Sequence, residues 1–306
     1  MPLVSVIIAT YNRAHFIKDA IESVLRQTFN DYEIIIVDDG STDDTKEVVR
    51  QFAGKVRYCY QENKGRSESR NTGIRLSQGE YVAFLDDDDI WAKDKIKKQL
   101  DYFSAHPEIG LVHSFTDVID AKGQFLPAET KERIGYYEKA IKFGSDYKGL
   151  SRLCIMFLST VIFKKKLVEG VGLFDPDIPA FEDWDFYLRF SLKYRIGLIA
   201  EPLASFRMHG LQSNKEEFFT GRIKTSMKHL AIIDSFAGMR FRRQLRYNFI
   251  YHIASAYYIH SDLCEFRKYA LKALVLKPLD FLSSRSILHL MASFLPRSFI
   301  KIFRRR

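Results

Sequence analysis

The first 115 residues alternate short apolar runs with segments in which apolar positions recur every three or four residues. Continuous runs rich in β-branched and aromatic residues are typical of buried strands, and they fall at 4–10, 32–37, 56–60, 80–85 and 109–115. Helical spacing predicts helices between them, at 14–27, 42–52, 65–76 and 91–103. Strands and helices that alternate through short connections predict an α/β fold with a mostly parallel sheet flanked by helices.

The pattern changes twice after this alternation. Residues 117–150 are interrupted by glycines and predict a loop, a hairpin and a short helix. A strand at 159–163, a helix that begins near Glu182 and one or two strands at 196–207 follow. From residue 215 onward only helical spacing remains, with expected helices at 215–237, 240–260, 263–276 and 284–303. We therefore expect an α/β domain at 1–214 and an α-helical C-terminal region at 215–306.

Carboxylates directly follow two of the predicted strands: Asp38 and Asp39 the second, and Asp86 to Asp89 the fourth. The carboxyl ends of parallel strands form the edge at which open α/β sheets bind ligands. Four adjacent like charges cannot all be buried unpaired, so the run indicates a cation site or acceptors for bound hydroxyls. The alternative is a solvated acidic turn in which Asp89 caps the next helix.

Two common phosphate-binding signatures are missing from the sequence. No Gly-x-Gly-x-x-Gly motif follows the first predicted strand, and the chain contains no P-loop. Phosphates at the acidic edge would therefore need a metal ion or side chains, rather than a glycine-rich loop, to neutralise them.

The net charge of +9 is unevenly distributed along the 306 residues. Residues 215–306 contain 18 Lys and Arg but only 6 Asp and Glu, whereas residues 1–214 contain 29 and 32. Such asymmetry favours a polyanionic partner, and within 285–306 the apolar Phe299, Ile300 and Phe303 lie among basic residues. A basic amphipathic helix of this kind predicts binding to an anionic membrane surface, the alternative being a solvated helical cap. No nucleic-acid module accompanies the basic residues, so we expect no nucleic-acid partner.

The cysteine pattern and the hydropathy bear on the cellular compartment. The three cysteines lie far apart in apolar contexts, which favours reduced thiols over disulfides or a zinc site. No apolar run approaches the roughly 20 residues that span a bilayer. We therefore expect a cytoplasmic protein that lies peripherally at the inner face of the cell membrane.

Five motifs along about residues 1–210 together resemble the family 2 glycosyltransferases. They are VSVIIATYNR at 4–13, VDDGS at 37–41, RNTG at 70–73, FLDDDD at 84–89 and EDWD at 182–185. The resemblance implies a GT-A fold, which is Rossmann-like, and a nucleotide-diphospho-sugar donor, for which we expect a UDP-sugar. It also implies Mn²⁺ or Mg²⁺ as cofactor, inversion at the anomeric carbon and a glycan or lipid-linked acceptor.

The same resemblance assigns roles to individual residues. It implies that the donor is bound within about residues 1–115 and that the acceptor side lies within about 116–214. The implied donor-binding residues are Thr10, Tyr11, Arg13, Asp39, Arg70, Asp86 and Asp87. Asp88 and His209 are the implied metal ligands, Asp183 is the implied general base, and Arg207 and Gln212 are lesser candidates for contacts to the pyrophosphate.

Plainer alternatives exist for several of these residues. Tyr11 is also compatible with a packing role, Arg70 with a salt bridge on a helix face and Asp183 with simple complementation of a helix N-terminus. Two other functions use related chemistry: a sugar-phosphate nucleotidyltransferase and a non-catalytic nucleotide-sugar-binding protein. The first would be expected to carry a glycine-rich basic loop after the first strand, where this chain has Thr10-Tyr11-Asn12-Arg13.

Overall fold

The computed structural model describes residues 1–210, 215–235, 241–282 and 286–294. The chain divides into two compact units, Met1–Gln212 and Ser213–Arg306. Strands occur in the first unit, and the described part of the second unit is helical.

The strands of the first unit form one sheet with the spatial order β3-β2-β1-β4-β7-β6-β8-β5. Their bounds are β1 Val4–Thr10, β2 Tyr32–Asp38, β3 Arg57–Tyr60, β4 Tyr81–Phe84, β5 Ile90–Trp91, β6 Ile109–Ile119, β7 Ile162–Lys164 and β8 Arg195–Arg207. Strands β1 to β4 pair in parallel, and so do β6 and β8. Strand β7 lies antiparallel between β4 and β6, and β5 is antiparallel to β8. The expected α/β fold with a mostly parallel sheet is confirmed, although the sheet is mixed.

Helices connect and flank these strands. In the first unit they are α1 Ile17–Leu25, α2 Thr45–Arg50, α3 Arg66–Leu76, α4 Lys95–Ala105, α5 Pro127–Ile141, α6 Tyr147–Arg152, α7 Val168–Val171 and α8 Glu182–Ser191. The apolar face of α1 and the buried runs of β1 and β2 share one hydrophobic core. Helix α3 approaches β1 closely because Gly73 faces it: a Cβ at Gly73 would lie 2.3 Å from Ile7 Cγ2.

The described part of the second unit contains α9 Lys215–Ser235, α10 Arg242–His260, α11 Leu263–Leu276, α12 Pro278–Leu282 and α13 Ser286–Ala292. Helix α10 packs against α9 and α11 around a separate core that includes Ile253, Phe266 and Phe281. Asp262 caps α11, because its carboxylate accepts hydrogen bonds from the backbone N–H groups of Cys264 and Glu265. Among the described residues, no helix is long and apolar enough to cross a membrane.

Several boundaries differ from those expected from the sequence. Residues 127–141 form a helix of 15 residues, whereas a loop, a hairpin and only a short helix were expected within 117–150. Pro127 suits the first turn of this helix, and Gly135 is accommodated inside it. Helix α4 begins at Lys95 rather than Trp91, since Trp91 pairs with Ala204 as part of β5. Strand β7 begins at Ile162, after a 3₁₀ turn over Leu158–Thr160. Most of the expected helix 284–303 lies outside the described residues.

Candidate active site

The loops that follow β1 and β2 are hydrogen-bonded to each other at the carboxyl edge of the sheet. Asn12 adopts a left-handed conformation with a φ of 54°, which asparagine tolerates better than most residues. Its backbone N–H donates to Ser41 Oγ at 2.9 Å, and its Oδ1 accepts from the Thr42 N–H at 2.8 Å. Tyr11, the preceding residue, is 48% exposed and leaves its ring available at this edge, whereas Thr10 is buried.

Asp39 is buried and organises the loop that leads into α3. Its Oδ1 accepts from Gln61 Nε2 at 2.7 Å and from the Lys64 N–H at 3.0 Å, and its Oδ2 accepts from the Gly65 N–H at 2.8 Å. A carboxylate offers about four acceptor positions. Asp39 therefore both holds this loop and retains capacity for one further donor.

The four carboxylates of the acidic run differ in their exposure to solvent. The side chains of Asp86 and Asp88 are 38% and 21% exposed, whereas Asp87 and Asp89 are buried. Asp89 Oδ2 accepts from Ser159 Oγ at 2.6 Å, and Asp89 Oδ1 accepts from the Arg207 N–H at 3.0 Å. Asp89 is thus a buried structural carboxylate, and the N-cap position of α4 belongs to Asp94. The alternative in which Asp89 caps this helix is therefore wrong.

Burial and mutual repulsion oppose ionisation of three carboxylates of this run, Asp86, Asp87 and Asp89. Burial and the charge of Asp88 together raise the pKa of Asp87 to about 8, although Arg13, whose Nε lies 3.9 Å from Asp87 Oδ1, opposes this increase. Burial also raises the pKa of Asp86 and lifts that of Asp89 well above its usual value. A cation bound at this accessible edge would offset the repulsion that opposes ionisation of these carboxylates.

Asp88 and His209 form a pair at the exposed side of the run. His209 Nε2 lies 2.8 Å from Asp88 Oδ2, and the imidazole packs on Phe16 with ring centroids 4.8 Å apart. In the described part of the chain, no group of three or more His, Cys, Asp or Glu side chains is arranged to hold a metal. The Asp88 carboxylate nevertheless fits a Mg²⁺- or Mn²⁺-type ion, because such ions are commonly held by one or two carboxylates and complete their shell with phosphates and water.

Arg207, the last residue of β8, supports the acidic run from the protein interior. It is 1% exposed, and its guanidinium donates to the carbonyls of Asp88 and Ala121 and to the carboxylate of Asp19. Because its nitrogens are directed into the protein, Arg207 supports the run and does not face a ligand, contrary to its expected contact with a pyrophosphate. Gln212, the other lesser candidate, lies outside the described residues.

Helix α8 begins in a strained turn that presents two acids. Phe181 precedes the helix with a φ of 65°, a conformation that bulky residues rarely adopt and that often marks functional sites. Glu182 is buried, whereas Asp183 is partly accessible and accepts a hydrogen bond from the Trp184 N–H at 2.7 Å. Burial and the charge of Glu182 raise the pKa of Asp183 to about 7, although Arg70 opposes this.

Arg70 connects the acidic run to the start of α8. Its Nη2 donates to Asp86 Oδ1 at 3.1 Å and its Nη1 donates to Glu182 Oε1. The structure therefore brings the expected metal-binding edge and the expected general base within the reach of a single arginine.

Sequence reasoning missed Ser159, which is fully buried. Its hydroxyl donates to Asp89 and accepts from the Asp86 N–H at 3.0 Å, so it fixes both ends of the run. No local signal could have identified it, since a serine in a 3₁₀ turn carries no motif and its partners lie about 70 residues away.

The family model for Glycosyl transferase family 2 matches residues 5–164 of the chain. This match covers more than half of the sequence, and the chain therefore belongs to glycosyltransferase family 2. Membership favours sugar transfer over the nucleotidyltransferase alternative.

Curated relatives agree with this family. An uncharacterized glycosyltransferase of Rickettsia felis is 34% identical over 209 residues, which cover 68% of this chain and 33% of that protein. The putative teichuronic acid biosynthesis glycosyltransferase TuaG of Bacillus subtilis is 46% identical over 105 residues, or 33% of this chain and 42% of that protein. The chain thus matches only about a third of the Rickettsia felis relative.

Two solved structures share the fold. S. aureus TarS 1–349 in complex with UDP aligns with a TM-score of 0.65 at 18% identity, over 100% of this chain and 92% of that chain. Mannosyltransferase PcManGT from Pyrobaculum calidifontis, in complex with GDP-Man and Mn²⁺, aligns with a TM-score of 0.62 at 20% identity, over 99% and 84%. The GT-A fold expected from the resemblance is confirmed.

Proposed function

We propose that this protein is a metal-dependent inverting glycosyltransferase that moves a sugar from a UDP-sugar to a hydroxyl of a glycan or lipid-linked acceptor. The observation that carries the proposal is Asp183, a partly accessible carboxylate whose pKa is raised to about 7. Arg70 links its helix to Asp86 and hence to the acidic edge. A carboxylate with a pKa near neutrality suits general-base catalysis at physiological pH.

The donor would occupy the edge formed by the ends of β1, β2 and β4. Tyr11 is exposed there and can stack on the base, and Asp39 has acceptor capacity for a uracil N3–H. Thr10, Arg13, Asp86 and Asp87 would line the ribose and diphosphate. The UDP complex of TarS and the GDP-Man complex of PcManGT support a nucleotide-sugar in this fold.

Asp88 and His209 would hold the divalent ion, Mn²⁺ or Mg²⁺. When bound, such an ion would supply positive charge to offset the negative charge of the diphosphate. Arg207 Nε donates to the Asp88 carbonyl and so positions its backbone, and Phe16 packs against the ring of His209. The presence of Mn²⁺ in the PcManGT structure supports the choice of ion.

Asp183 would take the proton from the acceptor hydroxyl. The hydroxyl oxygen then forms a bond to the anomeric carbon while the bond from that carbon to the UDP oxygen breaks, on the opposite face of the sugar. A single displacement of this kind inverts the anomeric configuration and needs one base but no covalent nucleophile.

Asp183→Asn tests the assignment of the base. We expect transfer to fall by about 10²–10⁴-fold, the usual contribution of a general base, while UDP binding in the presence of Mn²⁺ is retained. Asp185→Asn is the matched control, because Asp185 lies on the same helix and is buried in an ion pair with Arg189. Persistent transfer by Asp183→Asn would show that the base lies elsewhere. Release of UDP, GDP or TDP from a panel of donors would identify the nucleotide.

The acceptor side is proposed to lie within about residues 116–214. The likeness to TuaG, which is named for teichuronic acid biosynthesis, supports a cell-envelope polysaccharide as the product. An acceptor of this class would be extended in the cytoplasm, at the inner face of the cell membrane.

We also propose that the basic helical region holds the enzyme against an anionic membrane. Most of 285–306 lies outside the described residues, but Leu279, Met291 and Phe294 are 81%, 64% and 64% exposed. Apolar side chains on a basic surface favour the interface of an anionic bilayer. Flotation with phosphatidylglycerol vesicles tests this proposal: a 1–285 truncation should lose binding, and unchanged binding would refute the assignment. Phosphatidylcholine vesicles are the control for charge.

A further inference from the structure

Two successive residues of α3 reach across to the segment that leads into α8. Asn71 Nδ2 donates to the Phe174 carbonyl at 2.9 Å, and the Phe174 N–H donates back to Asn71 Oδ1 at 2.9 Å. This pair of bonds fixes the Phe174 backbone at two points. The Phe174 ring in turn stacks on Phe186 of α8, with centroids 4.7 Å apart.

Arg70 makes the second connection, one residue earlier on α3. It is 8% exposed, and its guanidinium lies 5.8 Å from the centre of the Phe174 ring. One nitrogen binds the buried Glu182 at the first turn of α8, and another binds Asp86 on the acidic edge. The buried guanidinium is thus held between two carboxylates of the protein.

We propose that Arg70 is a positioning residue that fixes the start of α8, and with it Asp183, against the donor-binding edge through Glu182. This role differs from the direct contact with the donor that the family resemblance implies for Arg70. The inference rests on the proposed function of Asp183 as the base. Geometry favours it, because the guanidinium is buried and both of its terminal nitrogens already bind carboxylates of the protein.

The same contacts place charges of opposite sign beside Asp183. Glu182 raises the pKa of Asp183 and Arg70 lowers it, and Asp86 adds a smaller increase. The buried Tyr187 hydroxyl and the Cys154 thiol also face Asp183, and burial raises the pKa of both. Since these two groups stay neutral near pH 7, Glu182, Arg70 and Asp86 are the charges to which Asp183 responds.

The experiment compares the pH dependence of kcat/KM in Glu182→Gln and Arg70→Gln. Loss of the Glu182 charge should move the acidic limb of the profile to lower pH, and loss of the Arg70 charge should move it to higher pH. Both variants should lose about 10–100-fold in kcat, because small displacements of a catalytic group have effects of this size. The loss in the double variant should be smaller than the product of the two single losses, since the residues act as a pair.

Three further measurements separate positioning from other roles. UDP affinity in the presence of Mn²⁺ should stay near that of the wild type in Glu182→Gln and Arg70→Lys, and Arg70→Lys should retain the wild-type position of the acidic limb. Asp185→Asn should lower stability without moving the profile. Glu182→Gln keeps the shape of the side chain, so it gives a folded test even if Arg70→Gln is too unstable to assay.

The outcomes are distinguishable from one another. Opposite displacements of the acidic limb with retained UDP affinity support the positioning role. Unchanged profiles in an enzyme that Asp183→Asn inactivates would overturn this inference and leave the base assignment intact. A loss of UDP affinity of about tenfold or more confined to the Arg70 variants would also overturn it, and would make Arg70 a donor ligand. Full activity in Asp183→Asn would instead refute the proposed base and the positioning role together.

Discussion

Ser159 offers a quantitative test of how the acidic run is held. Its hydroxyl is fully buried, donates to Asp89 Oδ2 and accepts from the Asp86 N–H. Ser159→Ala removes both bonds and leaves two buried polar groups each short of a partner. At about 1–3 kcal/mol for each group, we expect the free energy of unfolding to fall by about 2–6 kcal/mol.

Ser23→Ala is the matched control for this substitution. The Ser23 hydroxyl is equally buried and also accepts a backbone N–H, that of Trp91 at 3.1 Å. The Ser23 hydroxyl, however, donates to the Ala20 carbonyl within α1. That carbonyl can also accept a backbone N–H of the helix, so it keeps a partner when Ser23 is replaced. The control therefore leaves one polar group without a partner, and we expect a loss of about 1–3 kcal/mol.

Equilibrium unfolding in urea measures the loss in free energy of unfolding for both variants, whose substituted serines lie in the first unit. The two tryptophans of the sequence, Trp91 and Trp184, are both buried in the first unit, so intrinsic fluorescence reports on its unfolding. The m-value should be unchanged, since the substitutions alter stability and not the surface exposed on unfolding. A loss for Ser159→Ala no larger than that for Ser23→Ala would refute the idea that Ser159 holds the acidic run.

Three further predictions concern packing, protonation and metal. Gly73→Ala should lower the free energy of unfolding by about 1–3 kcal/mol, because the new Cβ would meet Ile7 Cγ2. Gly135→Ala should raise it by about 0.5–1 kcal/mol, because no atom lies within 4 Å of a Cβ at this helical position. Thermal unfolding checks both signs. The raised pKa of Asp183 means that kcat/KM should fall as pH drops through about 7, and a profile flat from pH 5 to 8 would contradict this. Chelation by EDTA should abolish transfer and Mn²⁺ should restore it, with Asp88→Asn and His209→Ala requiring a higher Mn²⁺ concentration than Tyr11→Phe.

The sequence predicts most of the first unit because its signals there are local. A strand such as β1 is a continuous apolar run, and Asp86 to Asp89 follow a strand whose direction sets the edge they reach. Prediction failed where a distant partner decides the structure. Trp91 has helical neighbours but joins Ala204 of β8, and Arg207 resembles a ligand-binding arginine but is buried beneath Asp88.

The candidate site shows the same division. Tyr11 and Asp39 lie at strand ends, where the alternating pattern places them, and the Asp88–His209 contact joins two motifs that were already expected to bind metal. Ser159 and the link between Arg70 and Glu182 had no such signal. Their roles arise from pairs of residues about 70 and 112 positions apart, which periodicity within a short window cannot detect.

The bond between the Arg207 N–H and Asp89 spans 118 positions and has a consequence for the newly made chain. At about 5–20 residues per second, the ribosome adds Arg207 about 6–24 s after Asp89. Throughout that interval the four aspartates of the nascent chain lack the strand that supports them and the histidine that pairs with Asp88. The acidic edge therefore cannot reach its final form until β8 has left the ribosome, and in chains halted before that point Asp89 lacks the Arg207 N–H and Asp88 lacks His209.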